Sequence, residues 1–226
     1  MLISAGPTRE PLDPVRFLSN YSTGYMGQCL VREALARGHR VVLVSGPTDL
    51  PPLRGARIIR VEQAREMQQA LRRELPKADA LVMAAAVADF QPARRSRKKL
   101  GRTGTLRLTL TATPDIIGGL PRRPGQVIVG FALETADAKT AQARAARKLR
   151  AKRLDLIVGQ SMPQARPRQR RGTSPFGRRT VDAFLLGASG EAKRLGQVSK
   201  PKLARAILDE IGRLWYGEKD GTSTTL

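Results

Sequence analysis

Apolar residues in this chain fall into short unbroken runs, separated by stretches in which they recur every three or four positions. Met1–Ala5 is such a run, ended by Gly6-Pro7, and reads as a buried strand followed by a turn. Met26, Cys29, Leu30, Ala34 and Leu35 then take helical spacing as far as Arg37, with Gly38 as the natural stop. Arg40–Ser45, closed by Gly46-Pro47, and Ala56–Val61 read as further strands, and Ala64–Leu75 as a helix ended before Pro76. Ala80–Ala88 is apolar without alternation, as expected of a central parallel strand covered on both faces. Val127–Phe131 and Leu154–Val158 repeat that character, with a helix from Thr135 to Lys152 between them. Strands and helices alternating at this spacing predict an α/β fold, Rossmann-like, with a doubly wound, mainly parallel sheet.

Two insertions interrupt the alternation. Leu106, Leu108 and Leu110 alternate with polar residues, which predicts an exposed or antiparallel strand reached through the basic segment Arg94–Arg102. Thr180–Leu186 and Ala192–Leu195 flank Gly187–Gly190 as a hairpin, and Ser199 is a good N-cap for a closing helix to Trp215. One domain is expected over residues 1–215, with a basic flap and extra strand at 94–113, an arginine-rich loop at 163–179 and a flexible tail at 216–226.

Composition narrows the chemistry. One cysteine, Cys29, and one histidine, His39, exclude a disulfide framework, a cysteine-based metal site and His-rich metal chemistry; both residues lie in or just after the first helix and read as structural. No apolar run can span a bilayer and no signal-peptide pattern opens the chain, so the cytoplasm is the expected compartment. The formal net charge of +22 points to anionic partners without saying which. A basic nucleic-acid-binding protein is one reading, but three Tyr, five Phe and one Trp are few for base stacking and none interleaves a basic run.

In an open α/β sheet ligands bind beyond the carboxyl ends of the strands. After the first strand come Gly6-Pro7-Thr8-Arg9-Glu10-Pro11, Asp13-Pro14-Val15-Arg16 and Ser19-Asn20-Tyr21-Ser22-Thr23-Gly24-Tyr25-Met26-Gly27. Small and hydroxyl residues opening a helix leave amides for an anion, and Gly24 and Gly27 allow a phosphate close to the backbone. The segment is not GxGxxG, which counts against a dinucleotide cofactor. An NAD(P)-dependent reductase is therefore a rival supported only by the α/β pattern and Thr23-Gly24, and no tyrosine begins a YxxxK word. After Ala80–Ala88 stands Asp89, where a carboxylate can hold a ribose hydroxyl or a magnesium ion.

These words occur in a fixed order: AGPTREPLDPVRFLSNYSTGYMG, VSGP, AAAVADF, a lysine-rich segment, TPDII, VGFALET and a basic helix running into LDLIV. From Ile3 to Ile211 the series closely resembles the phosphopantothenate–cysteine ligase family of bacterial coenzyme A biosynthesis. The resemblance implies activation of 4′-phosphopantothenate by a nucleoside triphosphate, CTP rather than ATP, followed by displacement of the nucleotide by the amine of cysteine. It implies magnesium, no flavin in this domain, and a homodimer joined through extended strands, with Leu106–Leu110 and the Thr180–Leu195 hairpin as contributors. Nothing but Met1 precedes the first strand, so a separate phosphopantothenoylcysteine decarboxylase is expected as a pathway neighbour.

By the same resemblance Asn20 holds the acyl-nucleotide and orients its carbonyl, and Arg16 faces the acyl substrate. Ser22, Gly24 and Gly27 cradle the triphosphate, Ala85, Ala86 and Asp89 line the nucleotide and metal site, and Phe131 lies beside the base. Lys148 and Lys152 reach the phosphates. The family's KxKK flap is matched only partly, by Lys99-Leu100-Gly101-Arg102, with Lys99 as the activating lysine or Lys98 if the alignment slips by one. Gly159-Gln160-Ser161 stands where the family has an asparagine–aspartate word, and Pro163–Arg179, with six arginines and no acid, reads either as a loop covering the substrate or as disordered, the second being slightly favoured.

Overall fold

The computed structural model describes residues 1–102, 104–162, 176–177 and 180–220, with side chains to residue 216. The elements run β1 (Leu2–Ala5), β2 (Arg9–Pro11), β3 (Phe17–Ser19), α1 (Tyr25–Ala36), β4 (Val41–Ser45), β5 (Ala56–Arg60), α2 (Ala64–Glu74), β6 (Ala80–Met83), β7 (Phe90–Pro92), β8 (Leu110–Ala112), β9 (Val127–Glu134), α3 (Ala138–Ala151), β10 (Leu156–Ser161), β11 (Val181–Gly187), β12 (Ala192–Val198) and α4 (Lys200–Asp220). The main sheet has the order β12-β11-β10-β9-β6-β1-β4-β5. From β5 to β10 every pairing is parallel, and β11 and β12 add an antiparallel edge. The chain reverses direction across the sheet between β1 and β6, the switch point at which α/β sheets open a ligand crevice.

The unalternating runs become central strands because both sheet faces are covered. β1 and β6 are buried at every position. Ile3, Val82, Val129 and Val158 face a core shared with α1 and α4, while Leu2, Leu81, Ile128 and Ile157 face one shared with α2 and α3. At the β5 edge Arg57 and Arg60 are exposed, and charge of this kind blunts an unpaired edge. Gly159 of β10 lies under Phe184 of β11: a Cβ there would stand 2.0 Å from the Phe184 Cζ, so only glycine accepts the ring.

Several elements differ from the sequence expectation. The run Ala80–Ala88 leaves the sheet after Met83, because Ala84–Ala88 turns across the crevice. The Leu106–Leu110 alternation does not make a strand; pairing begins at Leu110, where β8 meets β7 antiparallel, and Leu106 and Leu108 stay exposed. β9 and β10 run on to Glu134 and Ser161, so Gly159-Gln160 lies inside β10 and Gln160 is buried, rather than following the strand. The helix expected from Thr135 starts at Ala138, capped by Asp137, whose Oδ1 accepts the Thr140 N–H at 2.9 Å. α4 continues past Trp215 to Asp220. Of the arginine-rich loop only Phe176 and Gly177 fall within the described residues, and 221–226 of the expected tail lie outside them.

Candidate active site

The crevice is built from the long connection between β1 and α1. In place of a tight turn, residues 6–24 fold out a small hairpin in which β2 pairs with β3, Arg9 with Ser19. The base of this excursion is sealed to the turn after β6. Pro7 bridges to Ala86, the Ala86 N–H donates to Gly6 O at 2.9 Å, and the buried Thr8 Oγ1 accepts the Ala88 N–H at 3.0 Å. Ser4, also fully buried, accepts the Ala85 N–H on its hydroxyl at 3.2 Å. Asn20, at the end of the hairpin, donates from Nδ2 to the carbonyls of Ala86 (3.2 Å) and Val87 (3.0 Å). Its carboxamide oxygen thus points away from those carbonyls, and Asn20 itself is exposed on the crevice side.

A second clasp brings the basic segment to the same place. Asp13 accepts the backbone N–H groups of Val15 and Arg16 at 2.8 Å each, and its other oxygen takes the Arg16 guanidinium at 2.9 and 2.6 Å and the Leu100 N–H at 3.1 Å. Arg16 in turn donates to Leu100 O at 2.7 Å, and Ser96 N–H to Leu12 O at 2.9 Å. Burial alone would raise the Asp13 carboxyl, but the Arg16 guanidinium and three backbone amides outweigh it and hold the group well below the usual carboxylate range. Leu100 is therefore held through both its backbone groups, which leaves its neighbour Lys99 exposed beside the Arg16–Asn20 segment.

Glycines from three segments meet on the other side of β1. Gly6 (φ +77°) sits so close to Gly46 that a Cβ would lie 3.0 Å from Gly46 O, and a Cβ on Gly46 would stand 1.8 Å from Pro7 O. Gly24 (φ +79°) is the N-cap of α1, with no side chain capping the helix; the Ser22 and Thr23 hydroxyls accept the N–H groups of Gly24 and Tyr25 at 3.3 and 3.4 Å. Close backbone approach, which GxGxxG achieves within one segment, is achieved here by Gly6, Gly24 and Gly46 together. Gly6 and Gly46 read as turn residues in the sequence, and only their contact in space shows this second use. Gly27 has a packing role: a Cβ would fall 2.2 Å from the Ala5 Cβ, so glycine seats α1 on β1. Beside this junction lies a cleft of ≈ 580 Å³ at the carboxyl ends of β1, β4 and β5, lined among others by Gly24, Gln28, Thr48, Leu53, Arg60 and Glu66.

The other sequence-derived residues divide. Ala85 and Ala86 lie half-buried in the turn after β6, their N–H groups bonded to Ser4 Oγ and Gly6 O; Asp89 is exposed just past them, and among the described residues its carboxylate takes no hydrogen bond or ion pair. The pairing of Val82 with Val129 puts Phe131 level with Ala84, where β6 has ended, with its ring half-buried toward the α1–α4 core. Lys148 and Lys152 are not brought into contact with the switch-point group. They lie at the carboxyl end of α3, and Lys152 Nζ donates to Asp115 Oδ1 at 3.0 Å. Desolvation pushes the Asp115 carboxyl up, but the Lys152 ammonium and the Gly118 and Ile117 amides bring it below its ordinary value. Cys29 is buried in the core, and His39 packs edge-on to Trp215 at 5.8 Å, as structural residues do. No cluster of three or more His, Cys, Asp or Glu positioned for a metal occurs among the described residues, and no helix among them is long and apolar enough to cross a membrane.

Residues 1–214 match the family model described as DNA/pantothenate metabolism flavoprotein C-terminal domain. The chain is 38 % identical over 215 residues to a cysteine/cysteine sulfinic acid decarboxylase of an unknown prokaryotic organism, covering 93 % of this chain and 57 % of the relative. It is 37 % identical over 217 residues to the coenzyme A biosynthesis bifunctional protein CoaBC of Bacillus subtilis (strain 168), covering 95 % of this chain and 51 % of that one. The chain thus spans about half the length of these curated relatives. Its fold superposes on the crystal structure of the C-terminal domain of a coenzyme A biosynthesis bifunctional protein CoaBC with a TM-score of 0.74 and 32 % identity, over 93 % of this chain and 92 % of the other. The chain belongs to the DNA/pantothenate metabolism flavoprotein C-terminal domain family.

Proposed function

We propose that this protein is a phosphopantothenate–cysteine ligase, joining 4′-phosphopantothenate to the amine of L-cysteine through an acyl-nucleotide. The observation that supports this most is the convergence at the switch point of Asn20, the Ala86–Val87 carbonyls and the Arg16–Asp13–Leu100 clasp that carries Lys99. Activation needs a carboxylate and a triphosphate, both anions, brought together against their repulsion, and cations aimed at the developing charge offset it. In this reading Lys99 and Arg16 supply those cations, and Asn20 turns one Nδ2–H from the Ala86 or Val87 carbonyl to the acyl-nucleotide carbonyl. The α1 amino end, with Ser22, Gly24 and Gly27, faces the triphosphate beside Ala85, Ala86 and Phe131.

Magnesium fits a site with one exposed carboxylate, Asp89, because this ion is commonly held by one or two carboxylates together with substrate phosphates. When bound it would neutralise phosphate charge. CTP is the proposed nucleotide. Lys148 and Lys152 would reach its phosphates, Lys152 by giving up its ion pair with Asp115.

A homodimer completes the reading. Phe17 of β3, Phe90 of β7 and Leu106, Leu108 and Leu110 near β8 are large, apolar and 41–55 % exposed, and β2 packs against β7, so these residues cover neighbouring ribbons. The reductase alternative loses ground on geometry, since the excursion over residues 6–24 replaces the tight glycine turn after β1.

The test is pyrophosphate release by the purified protein with phosphopantothenate, cysteine, Mg²⁺ and each nucleoside triphosphate in turn. Release that requires phosphopantothenate, with amide formed in equal amount, is expected. No turnover with any nucleotide would remove the ligase reading, and preference for ATP would change only the nucleotide.

A further inference from the structure

Lys200 is a buried cation with no part in the chemistry proposed above. It is 5 % exposed and is the first residue of α4, where the positive end of the helix dipole also opposes an ammonium. Desolvation lowers its pKa, with Cys29 of α1 acting the other way. Burying an ammonium is costly unless it is hydrogen-bonded, and the bond present is from Nζ to Gly177 O at 2.8 Å. Gly177 follows Phe176, in the connection between β10 and β11. The Phe176 ring meets Tyr21 at a centroid distance of 6.0 Å and an interplanar angle of 42°. Tyr21 stands between Asn20 and Ser22, at the junction of the proposed acyl and phosphate subsites, and is 86 % exposed.

A continuous chain of contacts therefore leads from the core to the mouth of the crevice: Lys200 holds Gly177, Gly177 sets Phe176, and Phe176 packs on Tyr21. We propose that Phe176, positioned by Lys200 through the Gly177 carbonyl, is an apolar cover over the acyl-nucleotide that favours attack by cysteine over attack by water. This rests on the ligase reading. In both outcomes the same acyl carbon is attacked and its bond to the nucleotide phosphate oxygen breaks, with the nucleoside monophosphate leaving with the electron pair. With the cysteine nitrogen as nucleophile a C–N bond forms and the amine gives up a proton. With water a C–O bond forms, phosphopantothenate is regenerated, and one triphosphate is lost for no amide. Excluding water from a reactive intermediate is what an apolar side chain at this place can contribute, whereas Asn20 and Lys99 act on the acyl group itself.

The experiment is the ratio of pyrophosphate released to amide formed, measured on the full chain over a series of cysteine concentrations that begins below saturation. Wild type is expected near one. Phe176→Ala is expected to raise the ratio on the order of threefold, with the excess declining as cysteine increases, and Phe176→Leu to raise it less, as expected for lost water exclusion. Lys200→Met, which removes the ammonium but keeps the stem, is expected to raise the ratio as Phe176→Ala does while leaving the KM for phosphopantothenate unchanged. A ratio that stays near one in variants that turn over, even slowly, overturns the cover. If Lys200→Met does not fold, the surface variant Phe176→Ala decides the matter alone. If wild type releases no pyrophosphate with any nucleotide, the ligase reading falls and the cover with it, a result distinct from a wild type that is active and variants that keep the ratio.

Discussion

Replacing Gly27 by alanine sets two elementary effects against each other. Gly27 lies in the first turn of α1, buried, and alanine is the better helix former by about 1 kcal/mol, so local propensity alone expects a more stable protein. Packing expects the reverse. The added Cβ would stand 2.2 Å from the Ala5 Cβ and 3.2 Å from the Ala5 Cα. Carbon atoms rest about 3.5–4.0 Å apart, so α1 must retreat from β1 by about 1.5 Å, or β1 must yield. β1 cannot yield cheaply, being hydrogen-bonded to β4 on one side and β6 on the other. The helix carries Leu30, Val31 and Ala34, all fully buried, and a retreat loosens each of them. Overpacking of this kind costs about 1–3 kcal/mol and occasionally more. The net expectation is a loss of about 1–2 kcal/mol, or a melting temperature lower by about 2–8 °C for a chain of this size. Thermal unfolding of Gly27→Ala measures it. Ala5→Gly in the same chain removes the clashing atom, so the double variant should recover part of the loss, with a coupling of about 1–3 kcal/mol. An unchanged or higher melting temperature for Gly27→Ala would refute the packing explanation.

Three further outcomes follow from the site. Asp13→Asn should free Leu100 and the basic segment, raising the rate of tryptic cleavage at Lys98–Arg102 on the order of tenfold over wild type at pH 7; because the folded-state carboxyl is depressed, the clasp is complete above the ordinary carboxyl value of about 3.9 and is lost only as pH falls below it toward the folded value. Glu10→Ala removes the buried carboxylate that accepts the Ala64 N–H at 2.9 Å at the start of α2, where no side chain of the helix's own cap does so; a stability loss of about 1 kcal/mol in urea unfolding is expected. Asn20→Ala should still release pyrophosphate but form amide at least about a hundredfold more slowly, since a positioned donor at an acyl centre is worth about that much; undiminished amide formation would take Asn20 out of its proposed role.

What the sequence made legible was whatever depends on periodicity. The runs at Met1–Ala5, Arg40–Ser45 and Val127–Phe131 gave parallel strands because both faces of each are covered, and that requirement is written in the residues themselves. Strand ends were less legible. Ala84–Ala88 is as apolar as the strand before it, yet the chain bends there because Ser4 and Thr8, from another strand and loop, take the Ala85 and Ala88 amides. The β2–β3 hairpin has only three residues a side and carries no periodic signal. In the site, Asn20 and Arg16 stood out through the words around them, but Asp13 is recognisable as their support only once Arg16 and Leu100 are seen to share its carboxylate. The three-glycine junction was hidden for the same reason: Gly6, Gly24 and Gly46 are far apart in sequence and their contact belongs to the fold. Lys148 and Lys152 show the limit from the other side, since matching a motif gave no sign that Lys152 would be engaged by Asp115.

The central claim concerns the kind of intermediate formed, and mass spectrometry of a single turnover with cysteine withheld tests it most directly. With phosphopantothenate, Mg²⁺ and CTP, one equivalent of pyrophosphate and a phosphopantothenoyl-cytidylate bound to the protein are expected, the latter converting to amide when cysteine is added. Formation of a nucleoside diphosphate and an acyl phosphate instead, or of no activated acyl species with any nucleotide, would contradict it.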